Sequence, residues 1–486
     1  MRRRSLFPFS ILHQPRLAEN TSPFGECCFS LRSLRNRRQA TGVSPMAVRN
    51  ISIEAALAEA HEAFAKRNPK SQAAYDEACA ALPGGNTRTI LFYAPFPLAM
   101  ESGAGCHLRD ADGHDYLDFL GEYTAGIYGH SHPRIRAAID RALDGGINLS
   151  AHNLLEGKLA RVVCERFPSL DLVRFTNSGT EANLMALATV TVATGRRKIL
   201  VFEGGYHGGV LYFGGGGAPV NAPHQFIIGS YNDVGRAKAL IEEHGSELAA
   251  ILVEPMLGSG GCIPGEREFL QALRDGATRC GAVLIFDEVM TSRLSPGGLQ
   301  EAFGIIPDMT TLGKYIGGGM SFGAFGGRAD LMGRYDPRRP DALPHAGTFN
   351  NNVLTMSAGL AGMSEIFTPE AARELTARGD DLRRRLNELC ASRRAPMEFT
   401  GYGSLMAVHF SSTPVRTPRD AVRGHQGLKE LFFFDMLERG IYLARRGMVI
   451  LSLPVGAAEC ERLVEAVEDF LSTRGPLLLP EALSAA

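Results

Sequence analysis

Among the 486 residues no apolar run approaches the roughly 18 that a membrane-spanning helix needs. Neither sign of charge is in excess: the net charge is −1 and the isoelectric point about 6.9. That gives no electrostatic case for nucleic acid or an anionic membrane as partner. The nine cysteines are scattered and form no CxxC, which argues against a zinc ribbon or a disulfide framework and fits a reducing compartment. His130-Ser131-His132-Pro133 is the nearest approach to a metal site, and further ligands at metal-binding spacing are missing. What is abundant is glycine, at 55, gathered in particular loops. The length suits two or three domains with large cores.

The start of the chain lacks the patterning of the rest. Residues 1–46 hold eight Arg, two Glu and no Lys, and are rich in Ser. That composition resembles a transit peptide. The alternative, favoured because helical patterning begins soon after Met46, is an extension upstream of a start at Met46. Residues 1–45 are expected to be disordered. The expected location is cytoplasmic, or mitochondrial if the leader is a targeting signal.

From 51 to 82 the pattern is helical, broken near Asn68-Pro69 and stopped at Pro83-Gly84-Gly85. The stretch 105–119 reads as a hairpin turning at Asp112-Gly113. Strand candidates follow at 172–175, 198–202, 249–253, 283–286 and 309–312, separated by helical patterns such as 182–194 and 268–280. The rhythm predicts a mostly parallel sheet covered on both faces, with 322–327 as a candidate last strand. Beyond about 365 the pattern is α+β: a helix at 370–392, a strand at 405–410, a helix at 428–439, a strand pair at 441–453 and a helix at 458–473.

One lysine stands apart. Lys314 lies between the apolar run 309–312 and Gly317-Gly318-Gly319, with no charged neighbour nearby in sequence. That suits an amine made nucleophilic by desolvation, the plain alternative being a surface Lys in a glycine-rich loop. Upstream, the strand 283–286 runs into Asp287, where open α/β sheets bind ligands. An Asp there with an isolated Lys after it suits pyridoxal phosphate: the Lys carries the aldehyde as a Schiff base and the Asp keeps the pyridine nitrogen protonated. Asp287 also suits a helix N-cap. Ser178-Gly179-Thr180 at a helix start offers N–H groups, hydroxyls and a positive dipole end to a phosphate, or ordinary capping; it is no Walker A pattern, which disfavours a nucleoside triphosphate. Tyr206, between glycines, can lie flat on a ring or sit half-buried in a turn. Glu254 closes the strand 249–253, bordering the same region or ending the strand in a salt bridge. Thr348 is a second phosphate donor or a cap.

In their order, Asn177-Ser178-Gly179-Thr180-Glu181-Ala182, Gly205-Tyr206-His207-Gly208, Glu254-Pro255, Asp287-Glu288-Val289 and Leu312-Gly313-Lys314 resemble the class III aminotransferases of the fold-type-I pyridoxal phosphate enzymes. Leu82-Pro83-Gly84-Gly85 is similar to the glutamate-1-semialdehyde aminomutase branch. Arg88, Leu91-Phe92-Tyr93-Ala94-Pro95-Phe96-Pro97, Glu122-Tyr123-Thr124-Ala125-Gly126, the stretch 148–157 and the run 310–328 resemble more closely the aromatic β-amino acid (β-phenylalanine) aminotransferases. The resemblance runs from about Met46 to the C-terminus. It implies an α/β fold with a mostly parallel seven-stranded sheet in a large domain, plus a small α+β domain built from both ends of the chain. With the patterning above, the boundaries fall at 46–125 and 366–486 for the small domain and 126–365 for the large one.

The resemblance also implies roles: Lys314 as Schiff-base lysine and proton shuttle, Asp287 as pyridinium partner, Tyr206 and Val289 on the two ring faces, and Ser178, Gly179 and Thr180 as the phosphate cup. It makes Thr348 a phosphate ligand given by a neighbouring subunit, hence a homodimer with shared sites. A transaminase must hold a carboxylate in both half-reactions, which Arg does best. Arg88, ahead of the aromatic loop, pairs such a clamp with apolar surface for a phenyl group, Tyr93 included. Arg446 is expected to hold the 2-oxo acid; Arg445 stands where the family has Pro, so either arginine can face inward, and the alternative is that both clamps are solvated. The expected function is transamination of an aromatic β-amino acid with 2-oxoglutarate or pyruvate. The alternatives are a glutamate-1-semialdehyde 2,1-aminomutase, an ω-aminotransferase of other specificity, and a non-catalytic phosphate-binding protein.

Overall fold

The computed structural model describes residues 52–478; the expected leader, 1–45, lies outside them. Helices Ile53–Arg67 and Pro69–Cys79 meet at Asn68, where the sequence predicts the break. Ser52 Oγ accepts from Ala55 N at 3.3 Å to cap the first. Pro69 opens the second, where its missing N–H is no loss.

The large sheet has seven strands, numbered here in chain order. They are β1 Leu172–Thr176, β2 Lys198–Phe202, β3 Gln225–Gly229, β4 Leu248–Val253, β5 Val283–Asp287, β6 Met309–Gly313 and β7 Gly323–Gly327. Across the sheet they run β1-β7-β6-β5-β4-β2-β3. Neighbours are parallel except β7, which is antiparallel to both β6 and β1. Strands β4 to β7 are buried at every position, which is why they read as short, mostly apolar or small-residue runs rather than alternating ones. The sequence pattern does not predict β3. It is an edge strand with only Gly229 buried, and its short apolar run carries no period. The helix Gly179–Thr194 buries Ala182, Ala186, Leu187 and Val190, a helical stripe against the sheet.

Both ends of the described chain contribute to the flanking sheets. One pairs Met100–Ala104, His107–Asp110 and Asp115–Asp118 with Ile441–Tyr442. Another joins Met397–Tyr402, Leu405–Phe410 and Met448–Ile450. This corrects the expected strand pair at 441–453: Ile441–Tyr442 and Met448–Ile450 go to different sheets. Each completes an edge left open elsewhere, which satisfies backbone groups that pairing with each other would leave bare. The helix Gln426–Glu438 packs on Ile53–Arg67, with the Phe64 and Phe434 rings 5.4 Å apart, so the two chain ends share one layer.

The helix Val353–Ala361 presses on the turn that follows Lys314. A Cβ on Gly318, at φ +65°, would lie 2.4 Å from the Ala358 carbonyl carbon, whereas one on Gly319, at φ +93°, would meet nothing within 4 Å. Both substitutions strain the backbone, and only the first also collides. Gly318→Ala is expected to destabilise the protein by about 2 kcal/mol or more beyond Gly319→Ala. Melting temperatures of the two variants check this; equal values would show that the contact yields freely.

Candidate active site

The site gathers at the carboxyl ends of the parallel strands. β5 ends in Asp287, which is 4 % exposed. Its Oδ2 accepts from His207 Nδ1 at 2.8 Å and from Asn183 Nδ2 at 2.9 Å, and its Oδ1 from Val289 N at 3.0 Å. Asn183 is fixed in turn: Nδ2 also reaches Gly179 O and His207 O, and Oδ1 accepts from Thr311 Oγ1 at 2.8 Å. A buried carboxylate is costly without donors, and these supply them. Asp287 therefore locks the loop after β2, the start of the helix after β1 and the end of β6 to one point. His207 and Asn183 escape the sequence reading. Their signal is slight: a His directly after Tyr206, and an Asn one turn beyond Gly179.

Lys314 opens the turn after β6 with φ +55°. Its Nζ donates to the Tyr123 carbonyl oxygen at 2.6 Å. Burial lowers its pKa to about 8; the Arg446 guanidinium adds to the shift, and Asp287 and Glu254 oppose it. An appreciable fraction is therefore the free, nucleophilic amine near neutral pH.

Ser178 Oγ accepts from Glu181 N at 3.1 Å and so caps the helix Gly179–Thr194. Thr180 Oγ1 accepts from Gly209 N at 3.2 Å. A Cβ on Gly208, at φ +125°, would lie 2.3 Å from Thr180 Oγ1, so the loop after β2 seats on this helix start only because a glycine is there. Val289 fills the gap between the helix start and β6: a Cβ on Gly179 would lie 2.9 Å from one of its methyls, and one on Gly313 3.2 Å from the other. Tyr206 is 43 % exposed, with its backbone N held by Glu254 Oε1 at 2.9 Å. Of its two readings, Glu254 takes the first: it borders the site and forms no salt bridge among the described residues. It is buried and also accepts from Gly258 N at 3.0 Å, so its carboxylate ties Tyr206 to the loop 258–262. Burial raises its pKa to about 7.

Two arginines share one ring. The Arg88 guanidinium carbon lies 5.7 Å from the Tyr123 ring centre and that of Arg446 5.2 Å. Arg88 is ion-paired with Glu122, and Arg446 donates to Ser259 Oγ. Arg445 turns outward to Glu430 at 3.3 Å, so Arg446 is the inward member of the pair. Tyr123 also escapes the sequence reading as a site residue. It sits in a left-handed turn, with φ +51° at Gly121, +48° at Glu122, +49° at Tyr123 and +81° at Thr124. Such a turn costs about 1–2 kcal/mol for each residue with a side chain. Asp118 Oδ1 secures its start by accepting from Leu120 N and Gly121 N.

One expected residue lies elsewhere, and Thr348, expected at a neighbouring subunit's phosphate, lies on the surface. Tyr93 is corrected: it is 5 % exposed, its ring packs 4.8 Å from Phe433, and its hydroxyl accepts from Leu98 N at 2.8 Å. It is a core residue because its loop folds back on the helix Gln426–Glu438. Thr348 is exposed and makes no hydrogen bond among the described residues. It lies two residues from Asn350, whose Oδ1 accepts from Asn177 Nδ2 at 2.9 Å, and it lines a cleft of about 370 Å³ with Ile147, Leu149 and Phe349.

A mostly parallel seven-stranded sheet with a buried Asp, a pKa-lowered Lys and a capped helix start at its carboxyl edge is the fold-type-I arrangement. The chain belongs to the class-III aminotransferases, whose family model matches residues 92–471. It is 56 % identical over 427 residues to a β-phenylalanine transaminase of Variovorax paradoxus, covering 88 % of this chain and 98 % of that one. The solved structure of a β-phenylalanine aminotransferase from Variovorax paradoxus superposes with a TM-score of 0.87, covering 88 % of this chain and 99 % of that one at 56 % identity. A glutamate-1-semialdehyde 2,1-aminomutase of Rhodopirellula baltica is 37 % identical over 393 residues, 77 % of this chain and 89 % of the relative. The class depends on pyridoxal phosphate. The residues present fit that cofactor: a buried acid, a lysine with lowered pKa, and a helix start at Gly179 whose free N–H groups suit a phosphate.

Lys314→Ala is expected to leave the melting temperature nearly unchanged and to cut turnover at least about 100-fold. Asp287→Asn should still take up the cofactor yet slow the donor half-reaction by a comparable factor, measured by single-turnover absorbance. The amine reacts only when neutral. Covalent capture of pyridoxal phosphate by the apoenzyme, fixed with borohydride, should therefore rise with pH through about 8 and then level off. A flat profile would contradict the lowered pKa.

Proposed function

We propose that the protein transfers the amino group of an aromatic β-amino acid, of the β-phenylalanine kind, to a 2-oxo acid such as 2-oxoglutarate or pyruvate. The observation that carries this reading is the pair of arginines on the Tyr123 ring, beside Lys314. The name of the Variovorax paradoxus relative supports the donor class.

Pyridoxal phosphate, when bound, supplies an electron sink for the bonds around the transferred nitrogen. Lys314 would carry its aldehyde at rest, and Nζ would then move the proton during transfer. Asp287 would hold the pyridine proton, oriented by His207 and Asn183. Ser178, Gly179 and Thr180 would hold the phosphate at the positive end of their helix. Val289 and Tyr206 would bound the ring.

The donor's carboxylate stands one carbon farther from the reacting nitrogen than that of an α-amino or 2-oxo acid. One fixed guanidinium serves both distances poorly, because its fork of donors sets a narrow geometry. Arg88 would exchange Glu122 for the β-carboxylate, and Arg446, steadied by Ser259, would take the 2-oxo acid. With Tyr93 in the core, the apolar surface beside Arg88 is the Tyr123 ring and Leu91, which packs against the same cluster. The reading includes a homodimer. Ile147, Leu149, Leu154 and Phe349 are exposed near Thr348, and a second copy would cover them and receive Thr348 at its phosphate.

Arg88→Ala should damage the β-amino acid half-reaction more than the 2-oxo acid one, and Arg446→Ala the reverse, each by about 1.5–3 kcal/mol in kcat/KM. Half-reactions followed separately by cofactor absorbance check this, and equal losses in both would refute the division. Conversion of glutamate-1-semialdehyde with no acceptor, and no activity on aromatic β-amino acids, would move the protein to the aminomutases.

A further inference from the structure

A second basic side chain lies behind Arg446. Lys429, on the helix Gln426–Glu438, is 7 % exposed. A Cβ on Gly447 would lie 3.3 Å from its Cδ, so its stem runs beneath the residue that follows Arg446. Its Nζ donates to His409 Nδ1 at 3.5 Å and forms no ion pair among the described residues. A buried ammonium with one neutral partner is unusual, because burial penalises charge and only an anion offsets it well.

The network around His409 fixes which of its nitrogens faces the lysine. Nε2 lies 3.0 Å from Gly261 O and 3.0 Å from Thr400 Oγ1, and Thr400 Oγ1 donates to Gly261 O at 2.8 Å. A carbonyl only accepts, so Nε2 carries the proton and Nδ1 offers its lone pair to Lys429. Gly261 belongs to the loop 258–262, whose Gly258 N is held by Glu254 and whose Ser259 holds Arg446. The Lys429–His409 pair and the Arg446 guanidinium thus lean on one loop.

Lys429 Nζ contacts His409 on Leu405–Phe410, and the other groups within electrostatic reach of it are Arg446 and, in that loop, Cys262. On its own helix, Glu430 is turned to His61 and Arg445, and His425 caps the helix start. Burial holds His409 down at about 4 and Cys262 up at about 12. Burial, with Arg446 adding, brings Lys429 to about 8, so it alone of these three titrates near neutral pH.

We propose that Lys429 is a positioning residue of the acceptor carboxylate site: hydrogen-bonded to neutral His409 behind Arg446, its neutral amine takes up a proton from solvent as the 2-oxo acid anion docks, and the ammonium so formed adds a second positive charge there. The proposal rests on the reading of Arg446 as the 2-oxo acid clamp. An arriving carboxylate favours the charged lysine, so the proton is bound more tightly in the complex than in the free enzyme. Well below pH 8 the lysine is already charged and no uptake accompanies binding; as pH rises past 8 the charge is lost and the anion binds more weakly.

The test uses the pyridoxal phosphate-loaded enzyme and glutarate, which resembles a dicarboxylic acceptor but cannot react. Calorimetric titration at about pH 8, in two buffers of different ionisation heat, counts the protons taken up per glutarate bound. The wild type is expected to take up a fraction of a proton. Lys429→Met should lose that uptake, bind glutarate several-fold more weakly and show a flatter pH dependence. Lys429→Arg should keep tight binding without uptake, because its charge does not titrate. Melting of each loaded variant checks folding, and if Lys429→Met does not fold the arginine variant decides alone. Undiminished uptake in Lys429→Met or in Lys429→Arg overturns the proposal, and if Arg446→Ala still abolishes glutarate binding, the reading of Arg446 survives. Glutarate binding untouched by Arg446→Ala overturns both.

Discussion

A carboxylate taken out of water must be given donors, and Asp287 draws them from three separate parts of the chain: His207 after β2, Asn183 on the helix after β1, and the backbone of Val289. Much of the site follows from that requirement. Because Asn183 also reaches Gly179, His207 and Thr311, the helix start offered to a phosphate, the loop carrying Tyr206 and the strand leading to Lys314 stand in fixed relation. An acid held this way keeps one fixed direction, which is the rigidity that electrostatic preorganisation requires.

The other half of the site is held by strain. The left-handed turn from Gly121 to Thr124 is unfavourable for three side-chain-bearing residues, yet it directs the Tyr123 carbonyl to Lys314 and the Tyr123 ring to both arginines. Backbone in this region persists only where its surroundings over-determine it. Here the Asp118 carboxylate and the burial of Tyr123 provide that support. Lys314 and the two arginines are thereby spaced by one aromatic residue.

Legibility followed the range of the interaction. Asp287, Lys314 and Ser178 could be read because each sits at a strand end or helix start, where a short pattern of apolar residues and glycines announces the position. The central strands could be read because burial on both faces leaves mostly apolar residues, with Asp287, Thr310 and Thr311 the polar ones in β5 and β6. Edge strand β3 and the alternating strand Met397–Tyr402 could not, since the first is short and mostly unburied and the second shows its period only against the sheet it joins. Tyr93 misled for a related reason. An aromatic beside a candidate arginine reads as a pocket wall, but the fold of its loop sends the ring to Phe433 and the core.

By itself, the sequence determined the class of fold, six of the seven strands of the large sheet, and the places of Lys314, Asp287 and Ser178 at strand ends and a helix start. These rest on local regularities: periodicity, capping, and glycine where backbones approach. Only the tertiary structure decided that Arg446 rather than Arg445 turns inward, that Glu254 and Tyr93 are structural supports, and that Asn183, His207, Tyr123 and Lys429 gather around the site. The reason is physical. Hydrogen bonds and cation–π contacts act over a few ångströms in space, while Tyr123 and Lys314, or Lys429 and His409, are brought to that range only by packing elements far apart in the chain, and no pattern along the chain records which of them will meet.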